Sequence, residues 1–410
     1  MVIYKILIKI LVIMLILKSL FVGLLGPALV NGFIGALIAS CIIIIFVNNY
    51  SMRKGSWLIG GLILMLIGKA IVQLFMYAYI PLEYVIISLL PKLIILLLAF
   101  TMLNMPSRNI QTLRGVLKKI ACISFLFAGI ELMLPDELTL EIISKISNAK
   151  LIVNEDLTAY KDVLFGFERS RLGSIFFEPI TFGMFSVILL CCEVFEKNVK
   201  KDFWYINILI LNIILSGAKS AILFFLIVAV YHRIGFIKAT LITIGIVCLI
   251  VYMASPMAAI NAAELTAGVE SIANHIIGLV FGVTNSLEFP LLGHGMGTAG
   301  YLIYLTARAS GSFYPFKNNY GIFEPLENGN ESAVGVFFYE NGLIPGLILV
   351  GTMLYIAYSW HRRKSSVASG MLVSYFCFAL FSESSLSVAI VTVLIFAITK
   401  YYINNDPATN

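Results

Sequence analysis

The sequence predicts an all-α protein: a polytopic integral membrane helical bundle of about 12 transmembrane helices, forming a single domain over residues 1–410. Three observations lead to this prediction. The chain is 60% hydrophobic and 12% charged, whereas soluble domains are about 25% charged. Apolar runs long enough to cross a bilayer recur along the chain, and basic residues gather in alternate connections between them.

The apolar runs begin near the N-terminus and continue to the C-terminal end. A helix crosses the hydrocarbon core with about 20 residues, within a range of about 17–25. The runs lie near residues 6–23, 28–48, 57–79, 82–102, 119–135, 177–196, 203–216, 220–232, 236–254, 333–359, 367–382 and 384–402. The seventh and eighth runs are short, which predicts tilted or broken helices in that part of the bundle.

Basic side chains mark the connections that we assign to the cytoplasm. These connections carry Arg53 and Lys54; Arg108, Arg114, Lys118 and Lys119; Lys197, Lys200 and Lys201; Arg233 and Lys238; and Arg362, Arg363 and Lys364. Because cytoplasmic loops of membrane proteins are rich in lysine and arginine, we expect a multi-pass protein with both termini cytoplasmic. The net charge is +6. Because the positive charges lie in short clusters between apolar runs, their distribution argues against a nucleic-acid partner.

Two long connections fall on the opposite, extracytoplasmic side. They are the loop at 136–176 and the large loop at 255–332, between the ninth and tenth spans, and they hold most of the acidic residues. In the large loop we expect an amphipathic helix over 262–283 and an irregular segment over 313–330. Long loops in compact proteins are usually functional, so an extracytoplasmic working site is predicted.

Charged residues precede the sixth span in the stretch Glu168–Pro179. Pro179 suits the first turn of a helix, and the Glu178 carboxylate suits its N-terminus. Arg169 and Arg171 come before them, and an arginine at the outer membrane surface can hold a phosphate or pyrophosphate with paired donors. The alternative is an interfacial arginine that binds lipid headgroups.

A polar turn, Ser216–Ser220, separates the two short spans. Its small residues permit a sharp reversal and leave backbone N–H groups able to meet an anion. Lys219 is predicted to face outward, against the positive-inside trend, and the alternative is a snorkelling lysine at a hairpin tip. The turn does not match the phosphate-binding pattern G-x-x-x-x-G-K-[ST].

The large outer loop carries further candidates for chemistry. They are His294 within the glycine-rich stretch Gly293–Gly297, the cations Arg308 and Lys317, and Glu331 at the loop exit. Glu331 falls near the membrane, where partial desolvation would favour a general base. His294 is a rival base, and a structural role is the alternative for each.

Two lysines, Lys69 and Lys92, lie deep within predicted spans. Ionisable groups inside a membrane are costly and often functional. We expect these lysines to pair with acids or to line a groove for a lipid phosphate.

Four of these stretches resemble the O-antigen polymerase (Wzy-type) and O-antigen ligase superfamily of bacterial inner-membrane proteins. RLGSIFFEP at 171–179 is similar to the family's arginine, glycine, aromatic and proline pattern before a span. LSGAKSAILFF at 215–225 is similar to its Ser-Arg-small turn, with Lys219 where arginine is common. LLGHGMGTAG at 291–300 is similar to its glycine-rich outer loop, and ESAVGVFFYENGLIPG at 331–346 to its loop-exit helix.

The resemblance implies a polymerase of O-antigen, capsule or exopolysaccharide repeats at the outer face of the bacterial inner membrane. Such an enzyme transfers an undecaprenyl-pyrophosphate-linked glycan to another lipid-linked repeat. Arg171, Lys219 and Arg308 would then stabilise the leaving pyrophosphate, and Glu331, with His294 as second choice, would be the base. The implied partners are the lipid-linked oligosaccharide, membrane lipid, and a chain-length regulator and flippase of the same pathway. No cofactor or metal is expected.

Substrate binding is assigned to four charged residues, Arg169, Glu178, Arg308 and Lys317. Two other functions stay open. An O-antigen ligase would use lipid A core as acceptor, but ligases often have His-Asn at the loop exit, where this chain has Glu331 followed by serine. A lipid-linked oligosaccharide flippase would line a central cavity with intramembrane charges, whereas this chain concentrates polar residues in two outer loops. A structural membrane protein without activity fits the outer cations less well.

Overall fold

The computed structural model describes about two thirds of the chain and includes most of the predicted spans. The described residues are 2–17, 21, 25, 27–47, 54–76, 80–104, 107–134, 161–164, 167–170, 172, 174–176, 179–195, 202–259, 279, 282–298, 332–362 and 366–380. The predicted amphipathic helix lies almost wholly outside these ranges, as do the irregular segment and the last predicted span.

Helices make up nearly all the regular structure in these ranges. They are α1 (Val2–Ile16), α2 (Pro27–Val47), α3 (Lys54–Met76), α4 (Leu82–Leu103), α5 (Ser107–Met133), α6 (Pro179–Phe195), α7 (Phe203–Ser216), α8 (Lys219–Arg233), α9 (Phe236–Ala259), α10 (Ala333–Asn341), α11 (Leu343–Arg362) and α12 (Ser366–Leu380). An antiparallel hairpin of β1 (Lys161–Leu164) and β2 (Phe167–Ser170), followed by a short 3-10 helix (Ser174–Phe176), precedes α6. The all-α class is confirmed, and the hairpin is an addition that the sequence did not predict.

The two short predicted spans form two complete helices joined by a tight turn. The Asp202 carboxylate caps α7 by accepting the N–H of Tyr205. The helix ends at Gly217, which has a φ of 59°. This left-handed conformation strongly favours glycine, and it reverses the chain into α8.

One predicted span is interrupted. The run at 333–359 forms α10 and α11, which meet at Gly342 with φ 91° and ψ 166°. A Cβ at this position would lie 2.7 Å from the carbonyl oxygens of Phe289 and Pro290, so the close approach of this segment requires glycine here. The prediction of one continuous helix is therefore wrong at Gly342, although Pro345 in the first turn of α11 is a helix-start signal.

The centre of the bundle is built on α6, α8 and α12. In α6 every residue from Pro179 to Cys191 is buried except Ile180. On α12, Gly370 lies against α8 so closely that a Cβ would be 2.8 Å from the Cβ of Tyr231. Close approach at small residues is typical of helices packed inside membranes.

Two helical segments of the described chain are long and apolar enough to cross a membrane. They are Ile59–Met76 within α3 and the whole of α11, with mean hydropathies of 2.1 and 1.6. Only 22% and 17% of the residues in these spans are buried inside the protein, and several of their apolar side chains are exposed. Phe75 on α3, for example, is 84% exposed.

Candidate functional site

Two of the sequence motifs meet beside the start of α6. The N–H of Leu172 donates to the carbonyl of Leu215 at 3.3 Å. A Cβ on Gly183 would lie 2.6 Å from the Cβ of Ala218 and from the Oγ of Ser216. The turn leading into α6 is therefore packed against the turn between α7 and α8.

The turn before α6 is held in place by α5. Ser174 has a φ of 52°, a left-handed conformation that is uncommon for a residue other than glycine. Its N–H donates to Glu131 Oε2 at 2.8 Å, and its hydroxyl donates to the carbonyl of Ser124 at 2.6 Å. These two bonds from α5 stabilise the turn in this conformation.

The facing turn opens the N-terminus of α8. Ala218 occupies the N-cap and provides no side-chain cap to the first N–H groups of the helix. Lys219 is the first residue of α8. Free N–H groups give a helix N-terminus a partial positive charge, so this turn is electrostatically suited to the anion predicted from the sequence.

A second assembly forms where the glycine-rich stretch Gly293–Gly297 meets the C-terminal end of α10. Its three glycines have φ between 65° and 101°, conformations that other residues rarely adopt. The N–H of His294 donates to the carbonyl of Tyr339 at 2.9 Å, and that of Gly295 donates to the carbonyl of Glu340 at 3.2 Å. The loop therefore runs along the last turn of α10.

The imidazole of His294 is held on several sides. Its ring stacks on Tyr339 with centroids 4.3 Å apart, and Phe289 meets it edge-on at 5.1 Å. Nε2 lies 3.2 Å from the carbonyl oxygen of Asn285. Because a carbonyl can only accept, Nε2 carries the proton, and in the neutral ring Nδ1 carries the lone pair. The carboxylate of Glu288 is 3.8 Å from Nε2, beyond hydrogen-bonding distance.

The carboxylate of Glu340 lies behind this loop and is almost wholly buried. Its Oε2 accepts from Lys92 Nζ at 2.5 Å and from Ser88 Oγ at 2.7 Å, both on α4. Its Oε1 accepts the N–H of Gly297 at 2.8 Å. One side chain thus joins α4, the end of α10 and the glycine-rich loop.

Helix α3 completes the assembly with Lys69 and Gln73. Lys69 Nζ donates to the carbonyl of Glu340 at 2.8 Å and to Asn341 Oδ1 at 2.9 Å. A hydrogen-bond donor at the Glu340 carbonyl also complements the negative end of the α10 dipole. Gln73 binds both backbone polar groups of Met296, which is fully buried.

The sequence predicts that the two deep lysines pair with acids. Among the described residues, one of the two lysines has such a partner. Lys92 forms an ion pair with the Glu340 carboxylate. The partners of Lys69 in the described chain are neutral oxygens at the end of α10. Sequence reasoning missed Glu340 and Gln73 as members of the site, although a carboxylate inside an apolar run, like the lysines, is a recognisable signal.

The predicted site residues are only partly placed. Five lie outside the described residues: Arg171, Glu178, Arg308, Lys317 and Glu331. Of the other three, Arg169 stands opposite Asp162 in the β1–β2 hairpin, Lys219 begins α8, and His294 lies in the glycine-rich loop. The two assemblies are linked through α12, which packs against α6 and α8 as well as α10.

The chain matches no protein-family model, no curated protein and no solved structure.

Proposed function

We propose that the chain is a multi-pass protein of the bacterial inner membrane that polymerises polysaccharide repeat units carried on undecaprenyl pyrophosphate. The observation that carries the proposal is the pairing of its four motif stretches in space. Leu172 bonds to Leu215 and Gly183 packs on the turn at 216–218, while the glycine-rich loop packs on the end of α10. Segments far apart in sequence thus form two assemblies, one with Lys219 and the other with His294.

The outward-facing apolar surface supports a membrane location. Fewer than a quarter of the residues in the two candidate spans are buried inside the protein, an apolar surface that water would disfavour and lipid tails would accept. With about 12 spans, both termini are cytoplasmic and the loops at 136–176 and 255–332 reach the outer face. The interrupted helix at Gly342 is compatible with lipid because its backbone is packed against the outer loop rather than exposed.

The proposed chemistry is transfer of a glycan from a pyrophosphate leaving group to a sugar hydroxyl. The acceptor oxygen attacks the anomeric carbon, the bond from that carbon to the pyrophosphate oxygen breaks, and the hydroxyl proton passes to a base. Cations near the leaving group stabilise its developing charge, a role that we assign to Arg171, Lys219 and Arg308. Glu331 and His294, through Nδ1, are the two candidates for the base.

Deletion of the gene tests the reaction. A polymerase predicts loss of long glycan with single repeats still joined to the final acceptor. Loss of all attachment would identify a ligase, and lipid-linked repeats retained on the cytoplasmic leaflet would identify a flippase. Reporter fusions in either long loop should report the outer face, and a cytoplasmic signal would overturn the site assignment.

Point variants test the cations. Arg171→Ala and Lys219→Ala should abolish long chains and leave single repeats on lipid, while Lys238→Ala, an exposed lysine at the start of α9, should leave the chain-length ladder unchanged. Normal ladders in both site variants at normal protein abundance would refute the assignment.

The base is tested by comparing His294→Gln with Glu331→Gln. Removal of a general base lowers a rate by about 10²–10⁴-fold. Only the variant that removes the base should fall this far, and the glycan made per unit of protein measures it.

A further inference from the structure

Among the described residues where the glycine-rich loop meets α10, the Glu340 side chain takes part in the most hydrogen bonds. Its carboxylate is 3% exposed and accepts three hydrogen bonds, from Lys92, Ser88 and Gly297. Its backbone carbonyl accepts two more, from Lys69 and Gly295. All of these contacts are made by residues that the structure describes.

The charge on Glu340 is balanced by Lys92. A buried carboxylate without a cation would be strongly destabilising, and so would the lysine without its carboxylate. This ion pair joins α4 to α10. It accounts for the two opposite charges, but it does not attach the glycine-rich loop to α10.

The loop is held by the other carboxylate oxygen. Oε1 of Glu340 accepts the N–H of Gly297, three residues beyond His294. On the other side, the His294 N–H is bound by the carbonyl of Tyr339, the residue that precedes Glu340. The histidine is therefore fixed between two attachments to the same turn of α10.

We propose that Glu340 is a positioning residue: through its Oε1 bond to Gly297 it holds the loop that orients His294, and Lys92 serves to neutralise it. The part that concerns glycan synthesis rests on the proposed function. The part that concerns the loop does not, since it can be measured on the protein alone.

Two double variants separate charge balance from loop attachment. Lys92→Met with Glu340→Gln removes both charges but keeps a carbonyl oxygen that can accept from Gly297. Lys92→Met with Glu340→Leu removes the same charges and also the acceptor. The two double variants have the same net charge, and their side chains at position 340 are close in size.

The readout is the rate at which diethyl pyrocarbonate modifies His294 in the purified full-length protein, measured by mass spectrometry with His361 on α11 as the internal reference. The glutamine double variant should react like the wild type. The leucine double variant should react roughly tenfold faster at His294 alone, because a hydrogen bond to the loop is lost. Chain length in cells should be kept by the first variant and shortened by the second.

Equal His294 reactivity in both double variants, at equal protein abundance, would overturn the proposal. So would fast modification in the glutamine variant, since charge rather than attachment would then control the loop. If the reactivities differ as expected but gene deletion leaves the glycan unchanged, the positioning role stands and the proposed function fails.

Discussion

Gln73 and Met296, which are 223 residues apart, form a two-point hydrogen-bonded contact in the interior of the protein. The N–H of Met296 donates to Gln73 Oε1 at 2.5 Å, and Gln73 Nε2 donates to the carbonyl of Met296 at 2.7 Å. Both residues are buried. A single amide side chain on α3 therefore satisfies the backbone of the residue at the centre of the glycine-rich loop.

Replacing this amide should destabilise the loop. Gln73→Met keeps the volume but leaves the N–H and carbonyl of Met296 without partners, at about 1–3 kcal/mol for each buried group. Thermal unfolding of the purified protein in detergent should show a lower Tm. Ile71→Met, on the outward-facing side of the same helix, is the control and should leave the Tm nearly unchanged. An equal Tm for the two variants would contradict the contact.

Alanine at Gly297 should displace the loop from α4. Gly297 has a φ of 82°, and a Cβ there would lie 2.4 Å from the carbonyl oxygen of Tyr84. Strain and overpacking together should destabilise the protein by about 1–3 kcal/mol or more. Gly245→Ala in α9, where a Cβ meets no atom within 4 Å, should instead be neutral or stabilising by up to about 1 kcal/mol. Chemical denaturation should therefore show a lower free energy of unfolding for Gly297→Ala than for the wild type, and an equal or slightly higher one for Gly245→Ala.

Alanine at Gly183 should separate α6 from the turn between α7 and α8. The new Cβ would be 2.6 Å from both Ala218 Cβ and Ser216 Oγ, an overlap that typically costs about 1–3 kcal/mol. Because the turn contains the proposed pyrophosphate cation, long glycan should also decrease. Gly129→Ala in α5, with open space around its Cβ, is the matched control. Unchanged stability and unchanged glycan in Gly183→Ala would show that the two turns are not packed as described.

Asp202 should give the protein a contribution to stability that depends on pH. A hydrogen bond from Lys118 Nζ, at 2.5 Å, and a second from the N–H of Tyr205 hold the pKa of the Asp202 carboxyl below its usual range. Because the folded-state pKa is the lower one, this contribution is fully present above the unfolded value of about 3.9. It is lost as the pH falls through the folded-state pKa.

The measurement is the Tm of wild type and of Asp202→Asn between neutral pH and about pH 3, below the usual range of an aspartate. Asparagine keeps the helix cap but not the charge. The wild type should have the higher Tm near pH 7, and the gap should narrow as the pH falls towards the folded-state pKa of Asp202, which lies below its usual range. Lys119→Met, which removes the exposed neighbouring charge, should show no such convergence. A gap that is constant across the range would contradict the assignment.

Local signals allowed some elements to be predicted closely. The helix over 203–216 has the bounds of the apolar run that predicts it, and in the structure Asp202 and Gly217 cap its two ends. The span over 333–359 was predicted without its interruption, since the residues on both sides of Gly342 are equally apolar. What breaks this helix is the approach of Phe289 and Pro290, which is a contact between distant parts of the chain.

The site residues also divide into those with a local signal in the sequence and those whose role depends on distant contacts. His294 was singled out because a histidine between glycines is visible in the sequence. Glu340 was not, because its importance lies in reaching Gly297 and Lys92 from a different element. Five predicted site residues lie outside the described ranges, and their roles remain predictions.

Composition and the periodic recurrence of apolar runs were sufficient to determine that the chain is helical, because hydrophobic burial sums over neighbouring residues and needs no knowledge of distant ones. The pairing of Lys92 with Glu340 and of Gln73 with Met296 was decided only by the tertiary structure. Each bond joins groups more than 200 residues apart. Whether such groups meet depends on how whole helices pack around loop glycines, a geometry that no local pattern encodes.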